Sequence, residues 1–228
     1  MELVKIIGTS HIAQQSIQEI KLAVDQFQPE IIAVELDHER AATLLSKSKN
    51  KVSFFEIANI GFLGYLFAKI GQIIQQKLGT SVGVSPGSEM KTALQLAKQK
   101  DLKLALIDQP IRITLKNFSK SITWKEKFRF LADLFNGLLF PKKQLQEFGL
   151  GNLDLRTVPE EKLVEKLILQ LKQRYPNVHR SLVADRNRYM VHQIVRLLRT
   201  HKQEKILVVV GAGHKTEMEK LLERVEVI

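Results

Sequence analysis

The chain has 228 residues, no cysteine and a formal net charge of +11 at pH 7. This length can bury one substantial hydrophobic core, so we predict a single domain over residues 1–228. The lack of cysteine excludes disulfides, thiolate nucleophiles and thiolate metal ligands. The first residues enter a strand pattern directly, without the features of a secretory signal, and we therefore expect a cytoplasmic protein.

Four near-continuous apolar runs of strand length predict a parallel sheet that is covered on both faces. These runs are residues 3–7, 31–35, 102–107 and 206–210. Helical patterns accompany them at residues 16–27, 37–48, 89–100 and 215–224. Residues 225–228 are expected to add a short last strand. The alternation of strands and helices predicts an α/β fold with a parallel core sheet flanked by helices.

The segment between the third and fourth strands departs from this alternation. From about residue 110 to residue 201, apolar residues recur at spacings of three to four, as in an amphipathic helix. The clearest examples are residues 124–140, 159–174 and 178–201. We therefore predict a large helical insertion before the last main strand.

Residues 54–78 are the most apolar part of the chain and contain many aromatic side chains. Glu56, Asn59 and Lys69 interrupt the segment, so it does not fit a bilayer span. A bare apolar surface of this kind invites association in water. We expect a helix pair that is partly buried in a symmetric homodimer.

Basic residues are concentrated between Arg112 and Lys143, with eight of them against two acidic residues. Such a patch could meet nucleic acid, anionic lipid or an acidic partner. No nucleic-acid-binding motif accompanies the charge, so we predict no specific nucleic-acid partner and favour a solvated helix face. A role at a membrane surface is the less favoured alternative.

The predicted strands end in residues that suit chemistry. The first strand runs into Gly8-Thr9-Ser10-His11, the second into Glu35-Leu36-Asp37, the third into Asp108, and the fourth into Gly211-Ala212-Gly213-His214. The carboxyl ends of parallel strands share one edge, which is where open α/β sheets bind ligands. The sequence therefore predicts that two imidazoles and several carboxylates meet at a single site.

These residues differ in how well a structural role explains them. Thr9, Ser10, Asp37 and Asp108 are at least as well explained as helix caps. Glu35 closes an apolar strand, and a buried carboxylate costs free energy unless it is paired. His11 and His214 are poor caps and occupy equivalent positions at two distant junctions. We therefore interpret His11, Glu35 and His214 as a functional cluster.

Two chemistries are open for this cluster. A histidine–histidine–carboxylate set without cysteine suits zinc, manganese or cobalt, and the metal would acidify a bound water. In a metal-free version, one histidine acts as the base, Glu35 orients it, and a glycine-rich turn donates N–H groups to an oxyanion. The residues alone do not decide between these two versions.

Further candidates surround the cluster. Asp108 and Arg186 are assigned to the catalytic group. Substrate contacts are assigned to Arg40, Arg112, Asn187, Glu89, Gly8, Gly211 and Gly213. The arginines are chosen because a planar guanidinium binds a carboxylate or phosphate, and the glycines because they let the backbone approach a ligand. His179, His192 and His201 lie on helical patterns without ligand spacing and are interpreted as structural.

The motifs together resemble the TraB/PrgY family. In order they are Gly-Thr-Ser-His, Val-Glu-Leu-Asp-x-x-Arg, Pro-Gly-x-Glu-Met, Leu-Ile-Asp, Asp-Arg-Asn-x-x-Met and Val-Val-Gly-Ala-Gly-His. The match runs from about residue 6 to residue 218. The family is similar to the Tiki metalloproteases and to the EreA/ChaN-like fold. That similarity implies a metal centre formed by His11, His214 and Glu35.

The resemblance also implies an activity. TraB and PrgY are linked to the shutdown of peptide pheromones, which implies a peptide or other small substrate and a metallopeptidase-like hydrolase. The alternative is a non-catalytic protein that binds or sequesters peptides. Family members often have Asp-Arg where this chain has Asp108-Gln109. The positive group at this position is therefore either missing or supplied by Arg112.

Overall fold

A four-stranded parallel sheet organises the chain in the computed structural model, which describes residues 2–9, 14–46, 87–139 and 161–226. The strands are β1 (Val4–Thr9), β2 (Ile31–Val34), β3 (Lys103–Leu106) and β4 (Ile206–Gly211). Their order in the sheet is β1-β4-β2-β3, and every pair is parallel. The four predicted strands and the parallel core sheet are thus confirmed.

The register brings the two ends of the chain together. Thr9 pairs with Gly211, and Val34 pairs with both Val209 and Leu106. Since all four strands are parallel, the carboxyl ends of β1, β2, β3 and β4 lie at one edge of the sheet. This edge is the one at which the sequence predicts a site.

Helices account for most of the remaining described residues. They are α1 (Gln14–Phe27), α2 (His38–Leu45), α3 (Ser88–Gln99), α4 (Ile111–Ser121), α5 (Trp124–Leu139), α6 (Glu161–Arg174), α7 (Pro176–His179), α8 (Asp185–Thr200) and α9 (Ala212–Glu226). A π-helical turn, Arg180–Ala184, lies between α7 and α8.

The core has two halves, one on each face of the sheet. Alternate residues of a strand point to opposite faces, so neighbouring positions in β4 enter different halves. Leu207 packs on one face with Ile20 of α1 and Leu94 of α3. Val208 packs on the other face with Met190 of α8 and with Met218 of α9. The central strands β2 and β4 are fully buried, which explains their unbroken apolar sequences.

The prediction of a short strand at residues 225–228 is wrong at its first two positions, because α9 continues through Glu226. Met218 and Leu222 are buried against the sheet, and Val225 follows at the same three-to-four spacing. This spacing continues a helix rather than beginning a strand.

The predicted helical insertion is confirmed for its described part. Residues 110–139 and 161–201 contain helices and no strand. Residues 54–78, which we assigned to a dimer interface, lie outside the described residues. Within the described ranges, no helix combines the length and apolar character required to cross a bilayer.

Close packing of β1 on α9 generates a first prediction. A Cβ atom added at Gly8 would lie 3.1 Å from Cα of Ala212 and 3.2 Å from Cβ of Lys215. Gly8→Ala should therefore lower the free energy of unfolding by about 1–3 kcal/mol in urea denaturation, because strand and helix must move apart.

Gly213→Ala is the matched control. Its Cβ would lie 3.3 Å from the Cδ1 tip of Ile168, which can rotate away, and alanine favours the helix by about 1 kcal/mol. We expect a neutral or slightly stabilising effect. If both variants lost the same free energy of unfolding, the close contact of Gly8 with α9 would not explain the loss in Gly8→Ala.

Candidate active site at the carboxyl edge of the sheet

Arg186 is the centre of the site, and every N–H donor of its guanidinium has an acceptor. Nε donates to Oδ1 of Asp108 at 3.0 Å, and Nη2 donates to Oδ2 of Asp108 at 2.7 Å and to Oε1 of Glu35. Nη1 lies 3.2 Å from the carbonyl oxygen of Leu182 and 3.2 Å from Nε2 of His214. Burial opposes the charge, but Glu35 and Asp108 outweigh it and raise the pKa of Arg186 above its ordinary value.

The π-helical turn places Arg186 in this position. Arg186 is the second residue of α8, immediately after the turn at Arg180–Ala184, and its Nη1 bonds to a carbonyl of that turn. A π-helical turn adds one residue to the normal helical repeat and is frequent at functional sites. It rotates the side chains that follow relative to those that precede it.

Glu35 joins β2 to β4 at the edge of the sheet. Its Oε2 accepts a hydrogen bond from the backbone N–H of Gly211 at 2.6 Å. Its Oε1 faces Arg186 and lies 3.3 Å from Nε2 of His214. The carboxylate is only 3% exposed, and these partners compensate the cost of burying its charge.

His214 is the third residue of α9 and is held from both ring nitrogens. Arginine has no acceptor, so Nη1 of Arg186 donates and Nε2 of His214 accepts. The proton is therefore assigned to Nδ1, which lies 2.5 Å from Oδ1 of Asn187. Asn187 in turn donates from Nδ2 to Oε2 of Glu217 at 2.9 Å. Asn187 is fully buried, so its described role is to fix the ring of His214.

Asp108 binds two arginines rather than capping a helix. It forms two hydrogen bonds with Arg186, accepts one from Nη1 of Arg40 at 2.8 Å, and accepts the N–H of Gln109 at 2.9 Å. Helix α4 begins at Ile111 without a side-chain cap from Asp108. The interpretation of Asp108 as a cap is therefore wrong, and Arg40 and Arg186 supply the positive charge beside it.

Asp37, in contrast, is the cap that the sequence predicts. Its Oδ1 accepts the N–H of Arg40 at 2.9 Å at the start of α2. Its Oδ2 accepts the N–H of Ile111 at 3.1 Å, so one carboxylate ties α2 to α4. Arg112 pairs with Glu39 at 3.2 Å on the surface. The arginines that pair with Asp108 in the described structure are Arg40 and Arg186.

The remaining candidates are three glycines, Glu89 and His11. Gly8 and Gly211 lie on neighbouring strands, and Gly213 lies in the first turn of α9. Glu89 is buried in the first turn of α3. His11 lies outside the described residues. In the part of the chain that the structure describes, no three His, Asp or Glu side chains gather as a metal site.

Glu217 is a member of the site that the sequence analysis missed. It lies three residues after His214 on α9, on the same side of the helix. This spacing is the one signal that could have identified it, and such spacing is common on any helix. The role of Asn187 in holding His214 was missed for a different reason, since the π-helical turn alters the direction of the residues that follow it.

The complete hydrogen bonding of the Arg186 guanidinium leads to a second prediction. Arg186→Met removes the partner of two buried carboxylates, and the loss of one member of a buried ion pair costs about 3–5 kcal/mol. We expect the free energy of unfolding in urea to fall by this amount. Arg188→Met, on the same helix, removes only an exposed pair with Asp185 and should change the value by less than about 0.5 kcal/mol. A loss as small as that of Arg188→Met would show that Glu35 and Asp108 find other partners.

The buried imidazole of His179 leads to a prediction about how the stability of the fold depends on pH. Burial lowers the pKa of this imidazole, with Lys172 adding to the effect and Glu217 opposing it. Below an unfolded-state pKa of about 6.5, the unfolded chain takes up a proton that the folded chain resists. Stability should therefore fall as the pH decreases from about 7 towards 5, and His179→Gln should flatten this slope in urea denaturation. A slope that His179→Gln leaves unchanged would show that another group causes the loss of stability.

Comparison with known proteins identifies the family to which the chain belongs. A model of the TraB/PrgY/gumN family matches residues 2–227. An uncharacterized protein of Methanocaldococcus jannaschii is 33% identical over 222 residues, covering 97% of this chain and 53% of that protein. The TraB domain-containing proteins of mouse and human are each 24% identical, covering 95% of this chain and 62% of each relative. The chain thus spans just over half the length of these relatives, and it belongs to the TraB/PrgY/gumN family.

Proposed function

We propose that the chain is a metal-dependent hydrolase of peptide-like substrates, with Glu35 and His214 at its reaction centre. The observation that carries the proposal is the 3.3 Å separation of Oε1 of Glu35 from Nε2 of His214 at the edge where parallel sheets bind ligands. His11, as the sequence predicts, is the third ligand of the proposal.

The described donors fit a divalent metal in type and spacing. Imidazole and carboxylate are ligands for zinc, manganese or cobalt, and two ligands of one tetrahedral ion at about 2.1 Å lie roughly 3.4 Å apart. The Nδ1–H of His214 bonds to Asn187, as the second nitrogen of a metal-binding histidine usually bonds to a fixed acceptor. The Asn187–Glu217 bond holds that acceptor in place.

Arg186 competes with a metal for this pair of atoms. It donates to both Oε1 of Glu35 and Nε2 of His214. Asp108 holds the same guanidinium through two further hydrogen bonds, so the side chain stays anchored when those two contacts are given up. Metal binding therefore has an electrostatic cost at this site, and moderate affinity is expected.

The metal-free version has less support from the geometry. It needs a backbone N–H for the oxyanion and needs Glu35 to orient the histidine. The N–H of Gly211 already donates to Glu35 at 2.6 Å, and Asn187 rather than Glu35 holds the Nδ1 side of His214. The proposal therefore takes the metal version, in which Glu35, His214 and His11 would hold a divalent ion that would acidify a water and polarise the scissile carbonyl.

Arg40 is the side chain of the cluster best placed to contact a substrate. It uses Nη1 to bind Asp108 and is 34% exposed, whereas Arg186 is saturated and largely buried. A guanidinium at the rim suits a carboxylate or a peptide carbonyl. The positive charge of the chain favours the approach of acidic peptides.

The test is metal binding, followed by a peptide-cleavage screen. Protein purified without chelator is titrated with zinc, manganese and cobalt by calorimetry, and its metal content is measured. We expect about one ion per chain, and an affinity reduced at least about tenfold in Glu35→Gln and His214→Ala. Cleavage of a mixed peptide library should stop after chelation and return when the metal is restored.

His192→Ala is the control, because it removes an exposed imidazole of α8 and should change neither measurement. Equal metal affinity in the wild type and in His214→Ala would place any bound ion elsewhere and remove the proposed centre. Peptide binding without cleavage at any metal loading would instead support the non-catalytic alternative.

A further inference from the structure

Helix α5 carries three large apolar side chains on its outside. Trp124, Phe128 and Leu131 are 71%, 66% and 57% exposed, and their spacing of four and three residues puts them on one face. The rings of Trp124 and Phe128 lie 6.1 Å apart between centroids, so they form a continuous aromatic surface. We call these three residues the outer face of α5.

The two acidic residues of α5 point the opposite way. Glu126 accepts the backbone N–H of Asn177 at 2.8 Å and that of Thr123 at 3.0 Å. Burial disfavours its charge, but these hydrogen bonds outweigh burial and lower its pKa. Asp133 binds Arg174, which lowers the pKa of the carboxyl group, and also accepts from Tyr175. The polarity of α5 is thus inverted, with carboxylates inside and aromatic rings outside.

Cations border the outer face. Lys127 places Nζ 4.3 Å from the centre of the Trp124 ring, and Lys125 is exposed on the same helix. Glu126 and Asp133 bind Asn177 and Arg174 on the opposite side of α5. The outer face is therefore an aromatic stripe within a positively charged border.

From this arrangement we infer that α5 docks flat on an anionic lipid surface. Trp124, Phe128 and Leu131 enter the headgroup boundary, while Lys125 and Lys127 contact lipid phosphates. A tryptophan with an apolar neighbour one turn away and lysines at the sides is the pattern of helices that lie in the membrane interface. Long lysine stems pack along apolar surface while the ammonium reaches the phosphates.

A second copy of the chain is a poorer occupant of the same face. In a symmetric pairing through α5, the Lys125 and Lys127 side chains of one copy would approach those of the other. No acidic side chain of α5 is turned outward to relieve the repulsion. An anionic bilayer, in contrast, carries negatively charged phosphates that can pair with the lysines beside the outer face.

The sole tryptophan of the chain is Trp124, so its fluorescence reports directly on this face. The full chain is mixed with vesicles of phosphatidylcholine alone or of phosphatidylcholine and phosphatidylglycerol in equal parts. With anionic vesicles we expect a blue shift, quenching by lipids with brominated chains, and loss of both at high salt. Neutral vesicles should give little change.

The variant Phe128→Ser combined with Leu131→Ser keeps the reporter and should weaken vesicle binding at least about tenfold. Lys125→Glu combined with Lys127→Glu should abolish the preference for anionic vesicles. Leu22→Ser, at a leucine that is also 57% exposed but lies on α1, is the matched control and should bind as the wild type does. Circular dichroism confirms that each variant is folded.

Three results would overturn the inference. The first is the absence of binding to anionic vesicles at low salt, or binding that the Phe128/Leu131 variant retains in full. The second is a blue shift that depends on protein concentration without vesicles, which would assign the face to a second copy. The third is a tryptophan of the free monomer that iodide and acrylamide cannot reach, which would mean that the chain itself covers the face.

Discussion

The ion cluster around Arg186 is the constraint on which the carboxyl edge of the sheet depends. One guanidinium joins Glu35 after β2, Asp108 after β3, His214 on α9 and the carbonyl of Leu182 in the π-helical turn. Each of these groups comes from a different element, so no one of them can shift without leaving a buried polar atom without its partner. The cluster thus determines how the last helices of the insertion meet the sheet.

Much of this edge is predictable because strand ends are visible in the sequence. Unbroken apolar runs identify β2 and β4 as buried parallel strands, and the first polar residue after each run must emerge at the common edge. Glu35, Asp108 and His214 follow from this reasoning alone. Asp108 shows the limit of this reasoning, since an aspartate two residues before a proline has the same sequence pattern whether it caps a helix or binds two arginines.

The partners of these groups are less predictable because they depend on helix phase. Arg186 and Asn187 follow a π-helical turn, whose extra residue rotates α8 relative to the preceding turn. The apolar spacing in residues 178–201 predicts a helix, but it does not show the change in side-chain direction that the π-helical turn causes. The inverted polarity of α5 escapes prediction for a related reason. An apolar stripe indicates which residues share a face, and only the contacts of Glu126 and Asp133 show that this face points outward.

The stability of the fold does not by itself account for a buried cluster of this kind. Replacing a buried ion pair by well-packed apolar residues is often neutral or stabilising, so folding alone does not require two carboxylates and two arginines here. Buried charged groups gathered in one place are typical of reaction centres. The direct partners Glu35 and Asp108 are already balanced by Arg40 and Arg186. A divalent ion at Glu35 and His214 would therefore leave the cluster with excess positive charge, which favours an anionic group of the substrate as its counter-charge.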